Sequence, residues 1–278
     1  MVSELVSFIK KNNLLIFLIF FMPVLVLAET IIDDYRKYDV TKTKFTLERS
    51  AKDLRYPWAL SFIDKTNVLI TEKDGGLYKV DVLSGKKQKI KHNIPHIDYD
   101  GGGQGGLLDV NFNPSDGYTY FTYSHKSSKL TRSKQLSKKS STAIARGRLI
   151  ENEIKDFEIL LIAKPEFLEN RHYGSRIAIK GDDLFVSFGE RGQGMISQDP
   201  SKHPGSIVRI KTDGSIPHDN PHFSERMDWL PEIYLIGVRN PQGITVSPHD
   251  DEIYFSSHGP RGGDHIGEVE FGSNYGWK

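Results

Sequence analysis

Apolar and polar positions alternate with a period of two in four stretches of the chain, each interrupted once by a polar turn. They are WALSFIDKTNVLITEKDGG (Trp58 to Gly76), LLDVNFNPSDGYTYFTYSH (Leu107 to His125), SRIAIKGDDLFVSFGERG (Ser175 to Gly192) and QGITVSPHDDEIYFSSHGP (Gln242 to Pro260). Alternation around a turn rich in Asp, Asn, Pro or Gly predicts a β-hairpin in each. The second strand of each hairpin ends in a hydroxyl residue: Thr71, Thr122, Ser187 and Ser256, at separations of 51, 65 and 69 residues. A loose repeat built from hairpins predicts an all-β fold, a β-propeller whose blades bury their faces by stacking round an axis. A β-sandwich is the alternative, but it has no need of the same hairpin four times. From Lys42 to Lys278 there is room for about four blades. No return strand follows Asn274-Tyr275-Gly276-Trp277 to close a ring, so the expectation is a truncated chain with its C-terminal part missing.

The first 28 residues stand apart. Lys10-Lys11 precede an apolar run from Leu14 to Leu27, broken only by Pro23, and Val26 and Ala28 are spaced as a signal peptidase requires. This predicts a signal peptide over 1–28 and a mature propeller over 29–278, periplasmic or secreted. An uncleaved membrane anchor is the alternative, though the run is short against the roughly 20 residues of a bilayer span. The whole chain has 37 Lys and Arg against 36 Asp and Glu; removing Lys10, Lys11 and Glu4 leaves 35 of each. A formal charge of zero gives no electrostatic case for nucleic acid. With no cysteine there is neither disulfide framework nor thiolate chemistry. The Lys/Ser-rich stretch from Ser124 to Ser141 reads as a solvated loop rather than an anionic-surface contact.

In a propeller, equivalent strand ends share one face. The residues just past each second strand are Glu72-Lys73, His125, Glu190-Arg191 and His258, so these are expected to converge on the axis. His172, in RHYGSR, has a side chain able to accept a proton near neutral pH; a surface-loop histidine is the other reading. Arg239 and Asn240 precede Pro241, which keeps them out of a helix. Arg239 suits a developing oxyanion or a carboxylate, or else a rim salt bridge. Gln104 lies among five glycines (101–103, 105, 106), where backbone can approach a ligand closely. The run leads into a strand and no Lys-Ser/Thr and helix follow, which disfavours a phosphate cradle. Carbonyls of Gly259 and Pro260, with Asp264 nearby, suit a hard cation such as Ca²⁺.

GQGGLLDVNFNP, HYGSRIAI, LFVSFGERG, PGSIVRIKTDGSIPHDNP, RNPQGITVSP, HGPRGGD and GSNYGW occur in this order between Tyr56 and Trp277. Together they resemble the soluble PQQ-dependent aldose sugar dehydrogenases, the glucose/sorbosone dehydrogenase family. The resemblance implies a six-bladed propeller with pyrroloquinoline quinone (PQQ) and Ca²⁺ over the axis, of which about four blades are present here. It implies that His172 is the catalytic base and that Arg239 stabilises charge on the quinone. Gln104, Arg239, Asn240 and His258 are placed with the cofactor contacts. Gly259 and Pro260 become carbonyl ligands of the calcium beside the quinone, and Tyr275 a carbonyl ligand of a second calcium. An aldose would be oxidised at C1 to a lactone, with electrons passed to an external acceptor. Which aldose, which acceptor and what oligomeric state are not legible.

Three departures bear on this. Glu190 stands where the family usually has Asp supporting the base. His265 stands where an acidic residue usually follows Asp264. The family chain continues beyond GSNYGW, so residues 29–278 alone are expected to associate and to bind PQQ poorly. A non-catalytic protein-binding propeller, as in hedgehog-interacting relatives, and a calcium-dependent lactonase are the alternatives. The joint presence of His172, Arg239 and Asn240 speaks against the first. The second would need several carboxylates round one axial metal.

Overall fold

The computed structural model describes residues 49–127 and 138–278. The expected signal peptide and much of the Lys/Ser-rich loop therefore lie outside the described residues. The described part is all-β, with four antiparallel sheets following one another along the chain. Blade 1 is β1 (Pro57–Phe62), β2 (Asn67–Glu72), β3 (Leu77–Asp81) and β4 (Lys87–Lys89); blade 2 is β5 (Leu107–Asn113), β6 (Tyr118–Lys126), β7 (Ser140–Ile150) and β8 (Glu153–Ile162). Blade 3 is β9 (Ile177–Lys180), β10 (Asp183–Phe188), β11 (Ser206–Lys211) and β12 (Ile233–Ile236); blade 4 is β13 (Pro241–Val246), β14 (Ile253–Ser257) and β15 (His265–Glu268). All four hairpins read from the sequence are present as β1–β2, β5–β6, β9–β10 and β13–β14. Contacts between β1 and β5, β5 and β9, and β9 and β13 place the first strand of each blade beside its neighbour's. This is the propeller arrangement.

The second strands of blades 2 and 3, β6 and β10, are apolar on both faces because each lies between two neighbouring blades. In β6, Phe121 and Tyr123 pack with Leu69 and Leu77 of blade 1, while Tyr120 packs with Leu184 and Val186 of blade 3. In β10, Phe185 turns the other way, to Ile253 and Phe255 of blade 4. Burial of such side chains contributes roughly 1.5–3 kcal/mol each, so the three seams form the core.

The repeated hydroxyls explain themselves at these seams. Thr71 Oγ1 accepts the Ala59 N–H of its own hairpin (3.2 Å) and donates to Leu108 O of blade 2 (2.6 Å). Thr122 Oγ1 accepts from Asp109 N (3.0 Å) and donates to Ser175 O at the start of blade 3 (2.6 Å). Ser187 Oγ accepts from Arg176 N (3.0 Å) and donates to Pro241 O of blade 4 (3.0 Å). Register irregularities at 57/59 and 107/110 free the first-strand N–H groups of blades 1 and 2 for this use. Ser256, the fourth member, is exposed, and no blade covers it among the described residues. Ile266 on the same sheet and Leu60 and Phe62 on β1 are also exposed, so the outward faces of blades 4 and 1 carry apolar side chains.

Thr122→Val keeps the shape and removes both bonds, leaving Ser175 O and Asp109 N buried without partners. It should cost about 1–3 kcal/mol in urea unfolding. An unchanged midpoint and slope would show that the hydroxyl is not a seam bond.

Candidate active site

The strand ends named by the sequence do meet, around His172. This residue lies between β8 and β9 in a tight turn with positive φ at His172 (53°), Gly174 (64°) and Ser175 (84°). Its ring is buried against Glu190, with Nδ1 2.5 Å from Glu190 Oε1. Glu190 Oε2 accepts the Gly194 N–H (2.9 Å), and Glu190 N–H donates to Arg239 O (2.8 Å). A carboxylate can only accept here, so in the neutral imidazole the proton sits on Nδ1 and Nε2 keeps its lone pair. Burial pushes the Glu190 carboxyl up, but the hydrogen bonds from His172 and Gly194 outweigh it and hold the group below the usual carboxylate value. Glu190 therefore stays ionised at neutral pH. The Glu190 side chain is long enough to bring its carboxylate to Nδ1.

Gln104 and Asn240 stand on either side of this pair. Gln104 Oε1 accepts the His172 backbone N–H (2.7 Å), and Asn240 Oδ1 accepts the Gly174 N–H (3.0 Å). Both oxygens face donors, which fixes the amide orientations and leaves both amide nitrogens as spare donors. Gly189 makes this closeness possible: a Cβ there would stand 2.2 Å from His172 O and 2.6 Å from Asn240 Oδ1. Asn170 carries the Gln104 loop, with its Oδ1 on Gly105 N (2.9 Å) and its carbonyl on Gln104 N (3.0 Å). Lys73 Nζ donates to Gly103 O (2.5 Å) from the opposite side. The glycine run is thus clamped at its Gln104 end.

Arg239 joins by its backbone and reaches His258 O through Nη1 at 3.4 Å. His258 N–H donates to Asn240 O (3.3 Å), but the His258 ring is exposed, with Nδ1 3.7 Å from Asp264 Oδ2. Asp264 Oδ1 accepts the Gly259 N–H (2.7 Å). The Gly259–Asp264 loop therefore offers carbonyl oxygens and one carboxylate, the oxygen donors a hard cation takes. Among the described residues, no group of three or more His, Cys, Asp or Glu is placed to hold a metal. Tyr275 N–H donates to Ile236 O (3.0 Å) and its ring packs on Phe255. His265 is exposed, with Nδ1 3.3 Å from Gly263 O.

Three residues expected at the axis turn elsewhere. Glu72 is buried and accepts the Arg55 N–H (2.5 Å). Arg191 runs into the protein, donating to the carbonyls of Arg171, Ser140 and Glu169 and stacking 3.7 Å from the Tyr173 ring. His125 is buried with Nδ1 unpartnered, near the rings of His96 and Tyr123. Two residues that the sequence reading passed over matter more: Arg176, which bridges the blades, and Trp277, whose ring faces Arg239 at 5.4 Å.

A propeller of antiparallel sheets with a carboxylate-backed imidazole, two oriented amides and a guanidinium at one strand end is a scaffold for binding and deprotonating a polar ligand. Residues 54–278 match the model of the Glucose / Sorbosone dehydrogenase family, and the chain belongs to it. It is 34% identical over 231 residues to aldose sugar dehydrogenase YliI of Escherichia coli (strain K12), covering 81% of this chain and 59% of that protein. It is 27% identical to quinoprotein glucose dehydrogenase B of Acinetobacter calcoaceticus over 81% of this chain and 50% of that one. A crystal structure of a glucose dehydrogenase superposes with a TM-score of 0.75 at 29% identity, covering 84% of this chain and 66% of the other. The chain thus spans between half and two thirds of the length of these relatives.

Proposed function

We propose that this chain forms the proton-abstracting part of a PQQ-dependent aldose dehydrogenase. The observation that carries the proposal is the His172–Glu190 pair, with Nε2 left as a base. PQQ, when bound, would supply the hydride acceptor, and the groups named here would move the proton and place the charges. His172 Nε2 takes the proton of the anomeric hydroxyl as the C1 hydride leaves, giving a lactone. Glu190 holds Nδ1–H and balances the imidazolium so formed. Arg239 places a cation where negative charge develops. The free amide nitrogens of Gln104 and Asn240 are donors suited to an anionic polar cofactor, and His258 lines the rim. A calcium ion would rest on the carbonyls of Gly259 and Pro260. An external acceptor would take up the two electrons.

The test is reconstitution of the gene product with PQQ and Ca²⁺, followed by dye reduction with a panel of aldoses. Lactone formation that needs both additions and is lost with EDTA is expected. PQQ that fails to bind, or binds without aldose-dependent dye reduction, would sink the proposal.

A further inference from the structure

Arg239 is under-used by the protein. A guanidinium has five N–H donors, yet the side chain makes one long bond, to His258 O at 3.4 Å. No carboxylate pairs with it among the described residues. Its other neighbour is the Trp277 ring, 5.4 Å from Cζ to centroid, within the range of a cation–π contact.

The indole is held there by its backbone. Trp277 N–H donates to Gly237 O (2.9 Å), and Trp277 O accepts from Ser197 Oγ (2.6 Å) and Gln198 Nε2 (2.7 Å). One turn of chain earlier, Asn274 and Gln198 exchange a further amide bond, Asn274 Nδ2 donating to Gln198 Oε1 (2.7 Å). The segment can approach only because residue 237 is glycine. Gly237 has φ +78°, and a Cβ on it would stand 2.1 Å from Asn274 Oδ1, 2.8 Å from Tyr275 N and 2.7 Å from Gly276 N. Gly237 lies two residues before Arg239. The same short stretch therefore docks the Trp277 segment and presents the cation to it.

We propose that Trp277 is a positioning residue, whose docked indole restrains the Arg239 guanidinium, carried on the strand end whose backbone meets Glu190, in the orientation that receives an anionic ligand. A flexible arginine loses side-chain entropy when it binds an anion, and stacking on an indole removes part of that loss beforehand. The cation–π contact stands on the structure alone; only the identity of the anion, PQQ, rests on the function proposed above.

Two readouts test it on the purified gene product. The first needs no cofactor. The Arg239 Nε–H resonance, assigned by its disappearance in Arg239→Ala, should be shifted upfield by the indole ring current. It should move to the position of a free arginine in Trp277→Leu and stay partly shifted in Trp277→Phe. The second is PQQ affinity by equilibrium dialysis. Trp277→Leu should weaken binding by about three- to thirty-fold, with Trp277→Phe closer to the parent. The double variant with Arg239→Ala should bind no worse than Arg239→Ala alone, as for two residues acting through one group. An Arg239 resonance indifferent to Trp277→Leu overturns the inference, and so does additive loss in the double variant. If the parent binds no PQQ, or Arg239→Ala leaves affinity unchanged, the cofactor assignment fails, and the resonance still decides the stacking.

Discussion

His172→Ala should lower kcat of the gene product by about 10²- to 10⁴-fold while leaving quinone affinity within a few-fold, the usual cost of losing a general base. The split follows from geometry. The His172 backbone N–H, which holds Gln104, survives the substitution, and so does the Asn240 bond to Gly174. Only the ring is lost. Arg239→Ala should behave differently, weakening binding and turnover together, because one cation serves both ground state and transition state. Stopped-flow reduction and equilibrium binding on the same samples separate these effects. A His172→Ala protein that oxidises aldoses at the parental rate would show that Nε2 is not the base.

The hairpins were legible because their alternation has the period of a strand, and the repeated hydroxyls because a seam bond is needed at each blade junction. The meeting of Gln104, His172, Glu190, Arg239 and Asn240 follows from the same register, since all lie at equivalent ends of inner or second strands. Register places a residue at a strand end but does not say which way its side chain turns. Arg191 occupies the position after Glu190, yet the carbonyls of Ser140, Glu169 and Arg171 draw it into the protein. Glu72 is likewise claimed by Arg55 N. Those partners come from other loops, and no local pattern announces them. Trp277 was hidden for the same reason: its partner Arg239 stands 38 residues away, and the docking that joins them depends on the missing Cβ of Gly237.

Arg176→Ala should be among the most destabilising single changes in the fold, costing about 3–5 kcal/mol at neutral pH. Arg176 touches all four blades. Its guanidinium stacks 4.1 Å over the Trp58 ring of blade 1, Nη1 lies 3.1 Å from Asp109 Oδ1 of blade 2, and Nε donates to Gln242 O of blade 4 (2.8 Å). Its own backbone leads into β9 of blade 3. Asp109 is buried and also accepts the N–H groups of Ile177 (2.8 Å) and Val110 (3.0 Å). Burial pushes its carboxyl up to about 6, against the pull of Arg176 and these two N–H groups. Removing the guanidinium takes away the largest opposing influence, so the carboxyl should rise further and its ionised form become harder to keep buried. A carboxyl with a raised folded value binds its proton more tightly folded than unfolded, so its ionisation costs stability as pH rises from the unfolded value through the folded one. The penalty of Arg176→Ala should therefore be smaller at pH 5, where Asp109 can be protonated, than at pH 7.5. Adding Asp109→Asn should recover part of the loss at pH 7.5 and little at pH 5. Urea unfolding of the parent, Arg176→Ala and the double variant at both pH values gives the comparison. A penalty equal at the two pH values would mean that Arg176 acts by packing on Trp58 and bonding Gln242, and not by neutralising Asp109.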